Sequence, residues 1–151
     1  MSFAVGVTRS VRVEGALPHG WRETSGVGRS GESLRLDGPT WVGERRPKLV
    51  VRTESAEGGA AAGAGSGPGR GVEPRVEGAA RDRWPHPRWG TGVVHQGVRV
   101  DGDVALAHDV YLFHDGRTAI RVELECELQA LFAVEEDVAL ILDALSSGGA
   151  R

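Results

Sequence analysis

Two Asp-Gly pairs, Asp101-Gly102 and Asp115-Gly116, each flanked by alternating apolar residues, constrain this chain more than any other feature. A tight type I′ reversal needs φ > 0 at both central positions. Asp tolerates this and Gly prefers it, so each pair is a strong hairpin signal. Between Thr91 and Ser147 they predict a three-stranded antiparallel meander followed by one amphipathic helix. With two-residue loops, Val100 pairs with Asp103 and His114 with Arg117. Counting outward, one face gathers Val94, Val98, Ala105, Ala107, Tyr111, Ile120, Val122, Leu124 and Cys126, the predicted core face. The other gathers His95, Arg99, Val104, Leu106, His108, Val110, Arg121, Glu123, Glu125 and Glu127. Asp109 and Gln96 are polar on the core face, and each needs a partner or a place near the sheet edge.

The helix is expected to pack on that core face through Leu131, Val134, Val138, Ile141, Leu142 and Leu145, which share one stripe at helical spacing. Glu135, Glu136 and Asp137 are placed near its N-terminus, where the macrodipole favours anions, and Gly148-Gly149 supplies its stop. Ile141→Asp is expected to unfold the domain. The fold class read from these elements is α+β: a twisted antiparallel sheet with a C-terminal meander and a C-terminal helix on one face.

The rest of the chain is less regular. Its 151 residues fit one domain, 1–151. Phe3, Val5, Val7, Val11 and Val13 alternate as in a strand that ends at a Leu17-Pro18-His19-Gly20-Trp21 turn, with Trp21 plugging a core edge. Ser33–Leu36 and Pro39–Val42 suggest a short pair around Asp37-Gly38. Pro47–Glu54 reads as a β-branched strand. Residues 55–72 are Gly/Ala-rich and cannot bury enough apolar area to offset backbone ordering, which predicts a flexible loop. Val72, Val76 and Ala80 sit at helical spacing and suggest one short helix, before the Trp84-Pro-His-Pro-Arg-Trp89 cluster enters the meander.

Charge is unevenly distributed. Residues 1–100 carry 15 Arg/Lys against 10 Asp/Glu (+5), and residues 101–151 carry 3 against 11 (−8). A solvated acidic face accounts for this, as does an acidic surface that meets a basic partner. Nucleic-acid binding would want a concentrated basic face, which the pattern does not offer. The single cysteine, Cys126, excludes an internal disulfide. No stretch approaches the ~18 apolar residues of a membrane span. The start lacks a basic segment followed by an apolar one, so a cytoplasmic protein is expected.

The order of pieces has a family likeness. A strand runs into Leu17, Pro18, Gly20 and Trp21, then come Pro47 and Leu49 to Glu54, a variable middle, a meander entered through Val98 to Gly102, and a closing helix of the type Val138 to Leu145. This resembles the PsbP-like superfamily, particularly its LpqN-like and DcrB-like bacterial branches. The resemblance implies an α/β/α sandwich around an antiparallel sheet, and a mostly non-catalytic accessory, envelope-associated or chaperone-like role. One DcrB-like branch consists of cytoplasmic chaperones for effectors of type VI secretion. This chain departs from the pattern by lacking an export signal, and by carrying the Gly/Ala-rich loop where a helix is expected.

Two kinds of site compete. The first is a protein-binding surface: an apolar strip of Val104, Leu106, Val110 and Leu112 on the sheet face away from the helix. Arg99, Arg121, Glu123, Glu125 and Glu127 border it, and Trp84 and Trp89 act either as a partner-binding rim, since Trp and Arg dominate hot spots, or as a lid pinned over the sheet. Its occupant would be a protein partner or effector-like client, with a homodimer as a further option, and no cofactor is implied. Leu106→Glu would then abolish association without unfolding the monomer. The second is a metal site: His95, His108 and Glu123 would lie side by side across three strands, ~4.5–5.5 Å apart at Cβ, and could share Zn²⁺. The alternative for that row is a polar line on a solvated sheet face. Cys126, alternating with Glu125 and Glu127, reads as a small apolar core residue rather than a nucleophile.

Overall fold

Nine strands and one long helix make up the described part of the chain, residues 10–24, 32–40, 44–55 and 80–147 of a computed structural model. They are β1 (Val11–Val13), β2 (Arg22–Glu23), β3 (Glu32–Asp37), β4 (Lys48–Ser55), β5 (Ala80–His86), β6 (Gly90–Asp101), β7 (Val104–Asp115), β8 (Thr118–Glu127) and β9 (Leu145–Ser147). A 3-10 turn, Leu128–Ala130, runs directly into helix α1, Leu131–Ala144. The main sheet has seven antiparallel strands in the order β2-β3-β4-β8-β7-β6-β5, and β1 pairs with β9 apart from it. The fold is α+β, as the meander and closing helix imply. Phe3 to Val7, Trp41, the stretch 56–79 and Gly148-Gly149 lie outside the described residues.

The meander is present, with its register displaced by two residues. Asp101 pairs with Val104 and Asp115 with Thr118. Each Asp therefore stays in the ladder, and the loops are Gly102-Asp103 and Gly116-Arg117. The first loop position carries the left-handed backbone, φ +69° at Gly102 and +64° at Gly116, where a side chain would be strained. A shift of two keeps every side chain on its expected face, because the strand period is two.

The core face is consequently as read. Leu34, Val51, Val122, Tyr111 and Val94 lie in one row across five strands, all buried. From α1, Val134, Val138, Ile141 and Leu142 are 2% exposed or less, as is Leu145 just beyond it, and Leu131 packs partly against the same cluster. Burying these side chains contributes on the order of 10 kcal/mol before entropy. Trp21 is buried at the sheet margin, its indole Nε1 donating to Asp137 Oδ2 at 3.1 Å. Gly92 is where β6 closes tightly on β7, since a Cβ there would run into the Leu112 carbonyl oxygen and the Phe113 ring.

Four readings are corrected. β3 pairs with β2 and β4, so Ser33–Leu36 is not half of a hairpin with Pro39–Val42. Ala80 belongs to a strand, not a helix. β5 is the outer strand of the sheet, a position that tolerates Pro85 because an edge residue need not donate on both sides. The helix ends at Ala144, where the chain straightens into β9 to pair with β1, so it stops before any glycine. Its lead-in 3-10 turn also leaves the first helical turn without an acidic residue.

The helix C-terminus is held by two other segments. His86 is buried, and its Nε2 lies 2.6 Å from the Leu142 carbonyl while Nδ1 receives the backbone N–H of Arg88 and of Trp89. Nδ1 is thus the acceptor, and Nε2 carries the proton and donates. Burial pushes the His86 pKa down from its ordinary 6.5. Arg88 Nη1 donates to the Asp143 carbonyl at 3.0 Å, placing a cation where the helix dipole is negative. The Glu14 N–H donates to the Ala144 carbonyl oxygen at 2.8 Å.

Candidate interaction surface

The face away from the helix is charged and largely closed. Glu123 is its hub: Arg121 Nε donates at 2.7 Å and Arg52 Nη1 at 3.3 Å, both to Oε2, and His108 Nε2 lies 3.6 Å from Oε1. His108, Arg121 and Arg52 together hold the Glu123 carboxyl down at about 2, against burial, which acts the other way. Arg99 pairs with Glu125, and Arg45 with Asp101 at 2.9 Å. Half-exposed pairs of this kind contribute little net stability and mainly fix side-chain positions.

The expected binding strip on this face is not open. Leu106 is 2% and Val110 0% exposed, while Val104 and Leu112 are half-buried. Val110 is short and lies between two longer polar side chains, with His95 and Glu123 directly opposite it on the flanking strands. Arg99 and Arg121 flank the strip as expected but are drawn into ion pairs. The Leu106→Glu expectation therefore changes: the substitution buries a charge and is expected to unfold the domain.

The expected metal row is not assembled. The two-residue displacement sets His95 opposite Val110 and His108 opposite Gly97 and Glu125, so only His108 and Glu123 approach each other. Among the described residues no group of three His, Cys, Asp or Glu side chains is placed to share an ion. Cys126 is buried, and its thiol pKa is pushed up to about 12 by burial and then by Asp109, so it is held in the thiol form.

Trp84 and Trp89 are half-buried on the helix side, near the foot of α1. Trp84 meets Tyr111 edge to face, centroids 5.2 Å apart at 82°. Trp89 stacks on His86 at 4.2 Å and donates from Nε1 to Ser147 Oγ at 3.2 Å. Both rings are engaged within the chain and seal the lower end of β6 against the helix.

The upper end of β6 is different. Val98 is 44% and Val100 71% exposed, although both point to the helix side, opposite Ala107 and Ala105 of β7. Ala105, directly opposite Val100, and Leu128, 40% exposed, line a neighbouring cavity of about 460 Å³ together with Glu44, Asp103 and Glu127. Phe132, in the first turn of α1, is 85% exposed. Its direction follows from Asp137, whose bond from Trp21 marks the helix flank that looks toward β2 and β3, while Glu135 lies on the other side of the buried stripe. Glu135 thus marks the helix flank that looks toward β7, and Phe132, three residues earlier, shares that flank. Phe132, Leu128, Val100 and Val98 thus fall at one corner of the helix side that none of the other described residues covers. Asp109 and Gln96 hydrogen-bond each other at its inner end, giving the two polar core-face residues a shared solution. Burial raises the Asp109 pKa to about 6.

Sequence reasoning missed this corner. The signal available was Phe132 and Leu140, large apolar residues that fall off the buried stripe of a helix whose partners are already counted. Leu140, 59% exposed, lies off the buried stripe on the outer side of the helix.

No helix among the described residues is long and apolar enough to cross a membrane. No family model and no curated protein matches the chain. Among solved structures, a crystal structure from Bacteroides thetaiotaomicron VPI-5482 has a similar fold, with a TM-score of 0.56 at 6% identity over 95% of this chain and 50% of that one. This chain spans about half the length of that relative, and the likeness is one of fold alone.

Proposed function

We propose that this chain is a non-enzymatic protein-binding module, in an accessory or chaperone-like role of the kind a PsbP-like relationship implies. The observation that carries the reading is that corner of the helix side, where Phe132 and Val100 are 85% and 71% exposed beside Leu128 and Val98. An aromatic anchor amid smaller apolar residues is the usual make-up of an interface centre, and clustered exposed apolar side chains mark such surfaces. Burying Phe132 in a partner is worth about 1.5–3 kcal/mol. The charged face opposite offers no such anchor, its side chains being tied to one another.

The test is a comparison of wild type with a Phe132→Glu/Val100→Glu double variant. Neither site is packed in the monomer, so the melting transition is expected to stay in place while a partner recovered with wild type from its native cells is lost. Recovery of the same partner by the folded double variant contradicts the proposal.

A further inference from the structure

Charge around the corner is segregated by strand parity. Every Arg and His within β6, β7 and β8 (His95, Arg99, His108, His114 and Arg121) projects to the face away from the helix. The helix-side positions of those strands carry no basic residue, and α1 contributes Glu135, Glu136, Asp137 and Asp143 with no basic residue among them. Asp137 is engaged by Trp21, whereas Glu135 and Glu136 are exposed one turn from Phe132. The apolar floor is shallow, since Ala105 and Ala107 lie beside Val98 and Val100.

Taking the corner as a docking surface, we infer that its occupant is a basic amphipathic segment of a partner protein. Apolar side chains of that segment lie on Val98, Val100 and Phe132, and its Lys or Arg residues face Glu135 and Glu136. Complementary charge fixes orientation and speeds encounter around an apolar centre. A second copy of this chain, paired through the same corner, is disfavoured, because that corner brings no basic residue from α1 or from the helix-side positions of β6, β7 and β8 to meet Glu135 and Glu136.

The test uses the full chain and two dye-labelled amphipathic peptides with the same leucine face, one with lysine on its polar face and one with glutamate. The lysine peptide is expected to bind and the glutamate peptide not. Phe132→Glu, and separately Glu135→Lys/Glu136→Lys, should each weaken binding by roughly tenfold or more. A distant double reversal, Glu23→Lys/Glu54→Lys, should change it by less than about twofold, since remote charges are screened. All variants are checked for an unchanged melt. Equal loss with the distant pair, or no binding of the lysine peptide, overturns the inference. Equal binding of both peptides, abolished by Phe132→Glu, overturns the charge assignment and leaves the docking surface standing. Binding indifferent to Phe132→Glu removes the docking surface at this corner, and dimerisation abolished by Phe132→Glu makes a second copy the occupant.

Discussion

Asp109 sits 4% exposed beneath the flank of α1, with Leu124 on one side and Gln96 on the other. Its pKa is raised from 3.8 to about 6, first by burial, so the folded state holds the proton more tightly than the unfolded chain. The stability this group contributes is therefore complete below about 3.8 and lost as pH rises through about 6. Asp109→Asn keeps the bond to Gln96 without the charge. It is expected to raise stability at neutral pH by on the order of 1–3 kcal/mol and to flatten the pH dependence over that window, as read by thermal melts across pH. An unchanged melt at neutral pH would contradict the buried placement. His86 acts in the opposite sense: its pKa is lowered from 6.5, so its contribution is complete above that value and lost as pH falls. His86→Phe fills the site but leaves the Leu142 carbonyl and the N–H groups of Arg88 and Trp89 without partners. A cost of about 2–4 kcal/mol is expected in denaturant titrations. Parity made Asp109 legible in the sequence as a polar residue on the core face. The role of His86 was not legible, because its partners come from α1, far along the chain.

At the scale of elements, the Asp-Gly pairs located both hairpins but not their register. Reading Asp into the loop misplaced each pairing by two, which preserved the two faces and dissolved the His95, His108 and Glu123 row. Face assignments survive such a slip and cross-strand neighbours do not, so the core was legible where the metal row was not. The loop geometry has its own test. Gly102→Val or Gly116→Val places a β-branched residue at φ +69° or +64°, and each is expected to cost about 1–2 kcal/mol in equilibrium unfolding. A neutral result would mean that the positive-φ position lies elsewhere in the loop. β5 and β9 escaped the sequence for a shared reason. Each is short or polar, and each is strand only because a neighbour offers a ladder: β6 for the Arg-rich β5, and β1 for Leu145–Ser147.

Across the whole molecule, the sheet has one closed face and one partly open one, the reverse of what the apolar strip on β7 suggests. Leu106 and Val110 look like a binding strip in sequence because hydrophobicity does not report what stands over a side chain, whereas Val98 and Val100 look like core because they share its parity. Helix length decides the matter: among the described residues, α1 and the Trp84–Trp89 cluster cover the lower part of the helix side and do not reach the upper end of β6. Arg99 pairs with Leu106 across β6 and β7, and Val100 is the next residue along, so one experiment reads both faces at nearly one place. Thermal melts of Leu106→Glu and Val100→Glu test the arrangement most directly. The structure predicts loss of the cooperative transition, or a fall of several kcal/mol, for Leu106→Glu, and a melt within about 0.5 kcal/mol of wild type for Val100→Glu. A stable Leu106→Glu protein beside an unfolded Val100→Glu protein would contradict the assignment of faces, and with it the docking corner.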